Sequence, residues 1–202
     1  MARASREQRA QNHERVLAEA ARLIREKGAD GVSVPEVMAA AGLTHGGFYK
    51  HFASKEALLE EAGTGAFDAR SAALAELVGS APDPAAARAR FIADYLSTWH
   101  RDHPGDGCAG VALAADVARR DPDDPLHGTY VAGVTRLVDA LHALRSDEPV
   151  LPDPTTDHDG RDPEALAELA TLVGAQVLAR ATAGSPISEQ ILDAARVRLL
   201  GD

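Results

Sequence analysis

Apolar positions recur at helical spacing along nearly the whole chain, and alternating β-branched runs are almost absent. Val16, Leu17, Ala20, Leu23 and Ile24 line one face of a first helix, with Arg15, Glu19, Arg22 and Glu26 on the other. Lys27 and Gly28 close it: a cation in the last turn, then a residue free to turn left-handed. Ser33-Val34-Pro35-Glu36 has the form of a capping box, in which Ser33 caps, Pro35 suits the first turn and Glu36 reaches back. A short second helix over Val34–Ala41 follows, stopped by Gly42. Thr44 suits an N-cap, so a third short helix is expected from His45 to about His51. Ser54 caps a fourth, longer helix carrying Leu58, Leu59, Ala62, Phe67, Leu74, Leu77 and Val78.

After the break at Pro82-Asp83-Pro84, the pattern predicts helices over Ala85–His100, Cys108–Arg119, Pro125–Arg145, Pro163–Ala183 and Ile187–Leu200. Ser146–Asp162, rich in Pro, Asp, Thr and Gly, reads as a long loop. The last two helices carry the stripes Leu166, Leu169, Val173, Val177 and Ile187, Ile191, Ala195, Leu199. Two amphipathic helices at this position need a partner surface, supplied by their own domain or by a second subunit. The expected fold is all-α, with about nine helices. A compact head over residues 1–55 precedes a helical body over 56–202.

Composition adds a charge asymmetry. The chain has 202 residues, 45% of them apolar and 26% charged, as an ordered globular protein requires. The net charge of −10 argues against a protein that coats nucleic acid along its whole surface. Residues 1–55, however, hold nine Lys and Arg against six acids, a net +3 that leaves −13 for the rest. A basic head on an acidic body is what a polyanion-binding module attached to a non-binding domain shows; scattered surface charge gives the same sum. Cys108, the single cysteine, rules out an internal disulfide. The first nine residues lack the apolar core of a signal peptide. The longest stretch without Asp, Glu, Lys or Arg, Val37 to Tyr49, is 13 residues, short of the ~18 that a membrane span needs. A cytoplasmic protein is expected, with no membrane partner.

The two short helices around Ala41-Gly42-Leu43-Thr44 form a helix-turn-helix candidate. Gly42 permits the tight turn, Leu43 plugs the space between the helices, and Thr44 can present its hydroxyl to a phosphate. His45-Gly46-Gly47 is poor helix-forming material, which makes sense where backbone must approach another surface closely. Tyr49, Lys50 and His51 add hydrogen-bond donors, while Phe48 and Phe52 pack inward.

Residues 39–59, Ala-Ala-Ala-Gly-Leu-Thr-His-Gly-Gly-Phe-Tyr-Lys-His-Phe-Ala-Ser-Lys-Glu-Ala-Leu-Leu, resemble the signature of TetR/AcrR-family transcriptional regulators. Residues 21–34 resemble the same family's first helix and the entry to its second. The resemblance implies a homodimer that binds a double-stranded DNA operator and answers to a small-molecule effector, with repression the commoner mode. Ser33, Thr44, Tyr49, His51 and Lys55 match positions that hold DNA phosphates, and His45, Gly46 and Lys50 those nearest base edges. The chain departs from the family at Pro35, where relatives often carry a basic or polar side chain that helps read DNA. In the body, Gly107-Cys108-Ala109-Gly110-Val111 resembles a subgroup motif that opens the sixth helix. The last two helices correspond to those that pair about the twofold axis.

Phe91, Tyr95, Trp99, Cys108, Val111, Val117, Tyr130 and Val134 are the candidate effector-binding residues, although such side chains also fill ordinary cores. His100, His103 and Cys108 have the ligand types for a transition metal, but their spacing matches no closed zinc pattern. Cys108 at a helix start is either a sensor thiol for electrophiles or a structural small residue. No nucleophile–base set, phosphate-cradling loop or dinucleotide fingerprint is present. The expectation is a non-enzymatic protein without cofactor or metal; a metal-sensing regulator and a metal-dependent hydrolase at the His–Cys cluster are the alternatives.

Overall fold

The computed structural model describes residues 2–145 and 162–201. Its described residues form helices and connecting turns: α1 (Ala2–Lys27), α2 (Val34–Ala40), a 3-10 helix (His45–Lys50), α3 (Lys55–Ser80), α4 (Pro84–Tyr95), α5 (Thr98–Asp102), a 3-10 turn (Pro104–Asp106), α6 (Ala109–Val117), α7 (Pro125–Arg145), α8 (Pro163–Ala181) and α9 (Pro186–Leu200). The all-α expectation stands. The loop predicted over Ser146–Asp162 lies outside the described residues apart from Asp162, whose carboxylate caps α8 by accepting from the Glu164 N–H at 3.0 Å.

Helix ends follow local chemistry. Gly28 takes the left-handed conformation (φ +75°) that ends α1. The Ser54 and Asp83 side chains accept from Ala57 N–H (3.1 Å) and Ala86 N–H (2.7 Å) to start α3 and α4. One expected helix gains a definite form and another needs correction. The third helix is 3-10 rather than α: Gly47 N–H donates to the Thr44 carbonyl and His51 N–H to that of Phe48, three residues back in each case. Glycines at 46 and 47 give the wider α turn little support there. The helix expected over Ala85–His100 divides at Leu96-Ser97, where Ser97 is extended (ψ 155°) and its hydroxyl caps α5 by accepting from His100 N–H at 3.1 Å. The Tyr95 carbonyl freed by this break takes hydrogen bonds from His100 Nδ1 and Gln176 Nε2 instead.

α3 packs on α1 at one end and on α7 along the body, while α8 pairs with α9. Buried side chains from Val16 in the head to Ala195 in α9 make one continuous core. Head and body meet where the end of α1 abuts α6. There the Asp116 carboxylate accepts the N–H of fully buried Ala29 at 2.7 Å, Arg120 pairs with Asp30, and Arg25 donates to the Gly105 carbonyl at 2.6 Å. A Cβ on Gly28 would lie 2.4 Å from Asp116 Oδ2, so the approach is as close as a glycine allows.

Candidate nucleic-acid interface

The turn between α2 and the 3-10 helix is built from main-chain bonds. Gly42, left-handed at φ +70°, donates to the Ala39 carbonyl at 3.0 Å, and Leu43 donates to that of Met38 at 2.8 Å. This paired closure satisfies two carbonyls that the helix end would otherwise orphan. The 3-10 helix is then held from beneath. Phe48 and Phe52 are buried with ring centroids 5.6 Å apart, and His13 of α1 stacks on Phe52 at 4.7 Å while its Nε2 faces Glu61 at 3.1 Å. Arg9 of α1 donates to the Lys50 carbonyl, tying the long first helix to the end of the same segment.

Above this base, Thr44, His45, Gly46, Tyr49 and Lys50 are all exposed within one short stretch, Tyr49 at 74%. Thr44 occupies the N-cap position with extended backbone, but its hydroxyl makes no capping bond, contrary to its expected role. A Cβ placed on Gly46 meets nothing within 4 Å and its φ is not in the left-handed region, so the fold itself has no use for glycine there. Ser33 lies exposed at the start of α2, accepting from Glu36 N–H at 3.4 Å. The Glu36 carboxylate turns mainly to Lys27, whose ammonium holds it below the usual carboxylate range, with the Ser33 backbone N–H adding to the effect. Lys55 is half-buried at the first residue of α3. His51 is half-buried as well, with Nδ1 buried and unpartnered. Burial, and then the neighbouring His13, Arg9 and Lys50, hold its pKa below the ordinary value. Arg9 was not among the sequence candidates; its signal was its place in a basic stretch preceding the apolar stripe of α1.

Residues 16–62 match the family model for bacterial regulatory proteins of the tetR family. That span contains the turn together with Phe48 and Phe52, while His13 and Arg9 precede it. Residues 16–62 form a TetR-family N-terminal region. Solved structures share the fold along nearly the full chain, two of them named as TetR-family regulators. One from Chloroflexus aurantiacus is 25% identical with a TM-score of 0.74, covering 96% of this chain and 95% of its own. One from Agrobacterium tumefaciens is 20% identical with a TM-score of 0.75, covering 96% and 97%. The reduced form of E. coli NemR is 24% identical with a TM-score of 0.67, covering 94% and 95%. No curated protein matches the chain significantly.

The body gathers all but one of the candidate effector residues in its core. Phe91, Tyr95, Cys108, Val111 and Val117 are buried, while Tyr130 and Val134 are half-buried against the same core. Tyr130 donates to the Gly110 carbonyl at 2.9 Å. Burial, with the Cys108 thiol nearby, pushes the Tyr130 phenol up to about 12 and the Tyr95 phenol well above its ordinary value. Trp99 stands apart: it is 56% exposed and stacks on His103 at 4.6 Å, so it lines no shared space with the others.

The structure keeps His100 beside Cys108 but sets His103 apart. His100 is buried with both ring nitrogens engaged: Nδ1 bonds the Tyr95 carbonyl at 2.7 Å and Nε2 accepts from Cys108 N–H at 3.0 Å. Desolvation lowers its pKa to about 4, so the imidazole is neutral near pH 7. His103 lies on the surface with Nδ1 on the Trp99 carbonyl, and Cys108 is fully buried at the N-cap of α6. Among the described residues no group of three His, Cys, Asp or Glu side chains could hold a metal. Nor, among them, is any helix long and apolar enough to cross a membrane.

Proposed function

We propose that this protein is a cytoplasmic, homodimeric repressor whose 3-10 helix reads a near-palindromic operator and whose body releases the DNA on binding a small molecule. Residues 1–55 act as the DNA-binding unit and 56–202 as the effector and dimerisation unit. The observation that carries this reading is the exposed set Thr44, His45, Gly46, Tyr49 and Lys50 on a segment clamped by Phe48, Phe52 and Arg9. Gly46 has no internal reason to be glycine, which fits a backbone that approaches a phosphate or base edge. Ser33, Tyr49, His51 and Lys55 then position the head on phosphates, and His45 and Lys50 face base edges in the major groove.

The dimer rests on an independent feature. Eight large apolar side chains are exposed among the described residues, and five lie on the last two helices: Leu166, Val177, Leu178, Ile187 and Val197. A twofold mate covers such a face and sets the two heads on successive major grooves. An effector in the body acts by preferring the arrangement in which the heads are wrongly spaced, and the joint between α1 and α6 connects the two units.

Gly46→Ala tests the reading. It adds a methyl group to open space, so unfolding free energy changes by no more than ~1 kcal/mol, in the stabilising direction that helix propensity favours. Operator affinity falls at least about tenfold if the backbone there meets DNA. Unchanged affinity removes the 3-10 helix from the interface.

A further inference from the structure

We propose that the groove between α3 and α4, with Arg70 at its floor, binds a small carboxylic acid with an apolar body. We further propose that this acid is the effector, a second step that rests on the repressor reading above.

The groove encloses about 270 Å³, near the lower end of the ~300–1,000 Å³ typical of small-molecule sites. Buried Leu74 and Phe91 form its inner wall. Arg70 is half-buried beside them, its guanidinium carbon 5.0 Å from the Phe91 ring centroid and 5.1 Å from that of Tyr95. The aromatic faces attract the positive charge but leave its in-plane N–H fork without acceptors.

Arg70 Nε is buried with no hydrogen-bond partner. Arg120, Arg136 and Arg180 also have a buried, unpartnered Nε, yet each uses the rest of its guanidinium on Asp124 (2.9 Å), Asp68 (3.1 Å) or the His100 carbonyl (2.9 Å). Among the described residues, Arg70 has neither a carboxylate nor a carbonyl within hydrogen-bonding distance. A planar fork laid over two neighbouring rings, in a groove walled on one side by Leu74 and Phe91, matches a carboxylate in shape and charge.

The remaining charges lie at the rim. Arg90 and Asp94, both exposed, face each other at 3.8 Å, and exposed Glu76 stands in water. Glu76 repels an incoming anion weakly through that water, whereas a cation would have to meet Arg70 inside.

Calorimetric titration of the full chain, without DNA, tests the ligand class with benzoate, hexanoate, benzyl alcohol and benzylamine. Both acids bind, benzyl alcohol binds at least about tenfold more weakly than benzoate, and benzylamine gives no heat. Arg70→Met lowers benzoate affinity at least about tenfold and leaves benzyl alcohol within about twofold. Glu76→Gln, an exposed change that leaves the core untouched, tightens benzoate and does not move benzyl alcohol. The acid site is overturned if neither acid binds, if benzylamine matches benzoate, or if Arg70→Met binds benzoate as wild type does. Adding the same acids to the protein–operator complex tests the second step. Release of wild-type protein but not of Arg70→Met supports it, and binding without release overturns the effector role while leaving the acid site in place.

Discussion

His100 links burial to pH. Its neutral ring bridges the Tyr95 carbonyl and the Cys108 N–H, and burial lowers its pKa from 6.5 to about 4. The unfolded chain therefore takes up the proton first as pH falls. Stability from this group is complete above about pH 6.5 and is lost progressively toward pH 4, on the order of 2 kcal/mol by pH 5. His100→Gln removes the titration, so the loss of urea stability between pH 7 and pH 5 shrinks by about that amount relative to wild type; an identical loss in both proteins contradicts the assignment. Two glycines in the body are equally constrained. A Cβ on Gly107 would fall 2.6 Å from Arg180 Nη2, and one on Gly133 would fall 2.3 Å from the Phe67 ring. Gly133→Ala thus overpacks the core and costs ~1–3 kcal/mol, with a matching fall in urea midpoint. An unchanged midpoint would place the Phe67 ring elsewhere.

At the level of elements, the joint between α1 and α6 is where body and head are tied together. Asp116→Ala leaves the buried Ala29 N–H without its acceptor and destabilises the fold by ~1–3 kcal/mol, whereas Asp116→Asn keeps an acceptor and loses less. Urea titration of the two variants checks the order, and equal losses contradict the hydrogen bond's role. The sequence pattern located α2, the turn and α3 because their caps are local: Ser33, Gly42 and Ser54 each act within a few residues. It ran α4 and α5 together because the break at Leu96 is stabilised from far away, by Gln176 on α8 taking the Tyr95 carbonyl. It located the third helix without telling 3-10 from α, since a 3-10 turn and a short α-helix share their apolar spacing at Phe48 and Phe52.

On the scale of the whole molecule, the head was far more legible than the body. Within residues 39–59 nearly every position has its own requirement, so the pattern names its fold. In the body, Tyr95 and Trp99 are alike in type yet opposite in setting, buried and exposed, because packing between distant helices decides which way each faces. Arg70 gave no signal, since one arginine in a long helix looks like any solvated charge. The dimer is tested on the exposed face: Val177 and Ile187, at 41% and 50% exposure, can be changed together to Glu without burying charge inside the subunit. Sedimentation should then show a folded monomer, and an intact dimer would place the interface elsewhere. Binding to DNA should be electrostatic despite the net charge of −10, with a log–log salt slope near −7 for a dimer neutralising about eight phosphates. The most direct test of the central claim is selection of random-sequence duplexes by the purified protein. The account predicts enrichment of a near-palindrome whose half-sites lie about one helical turn apart or slightly more, lost in Lys50→Ala at one position per half-site. Recovery of no common sequence, or of one untouched by Lys50→Ala and Gly46→Ala, would contradict it.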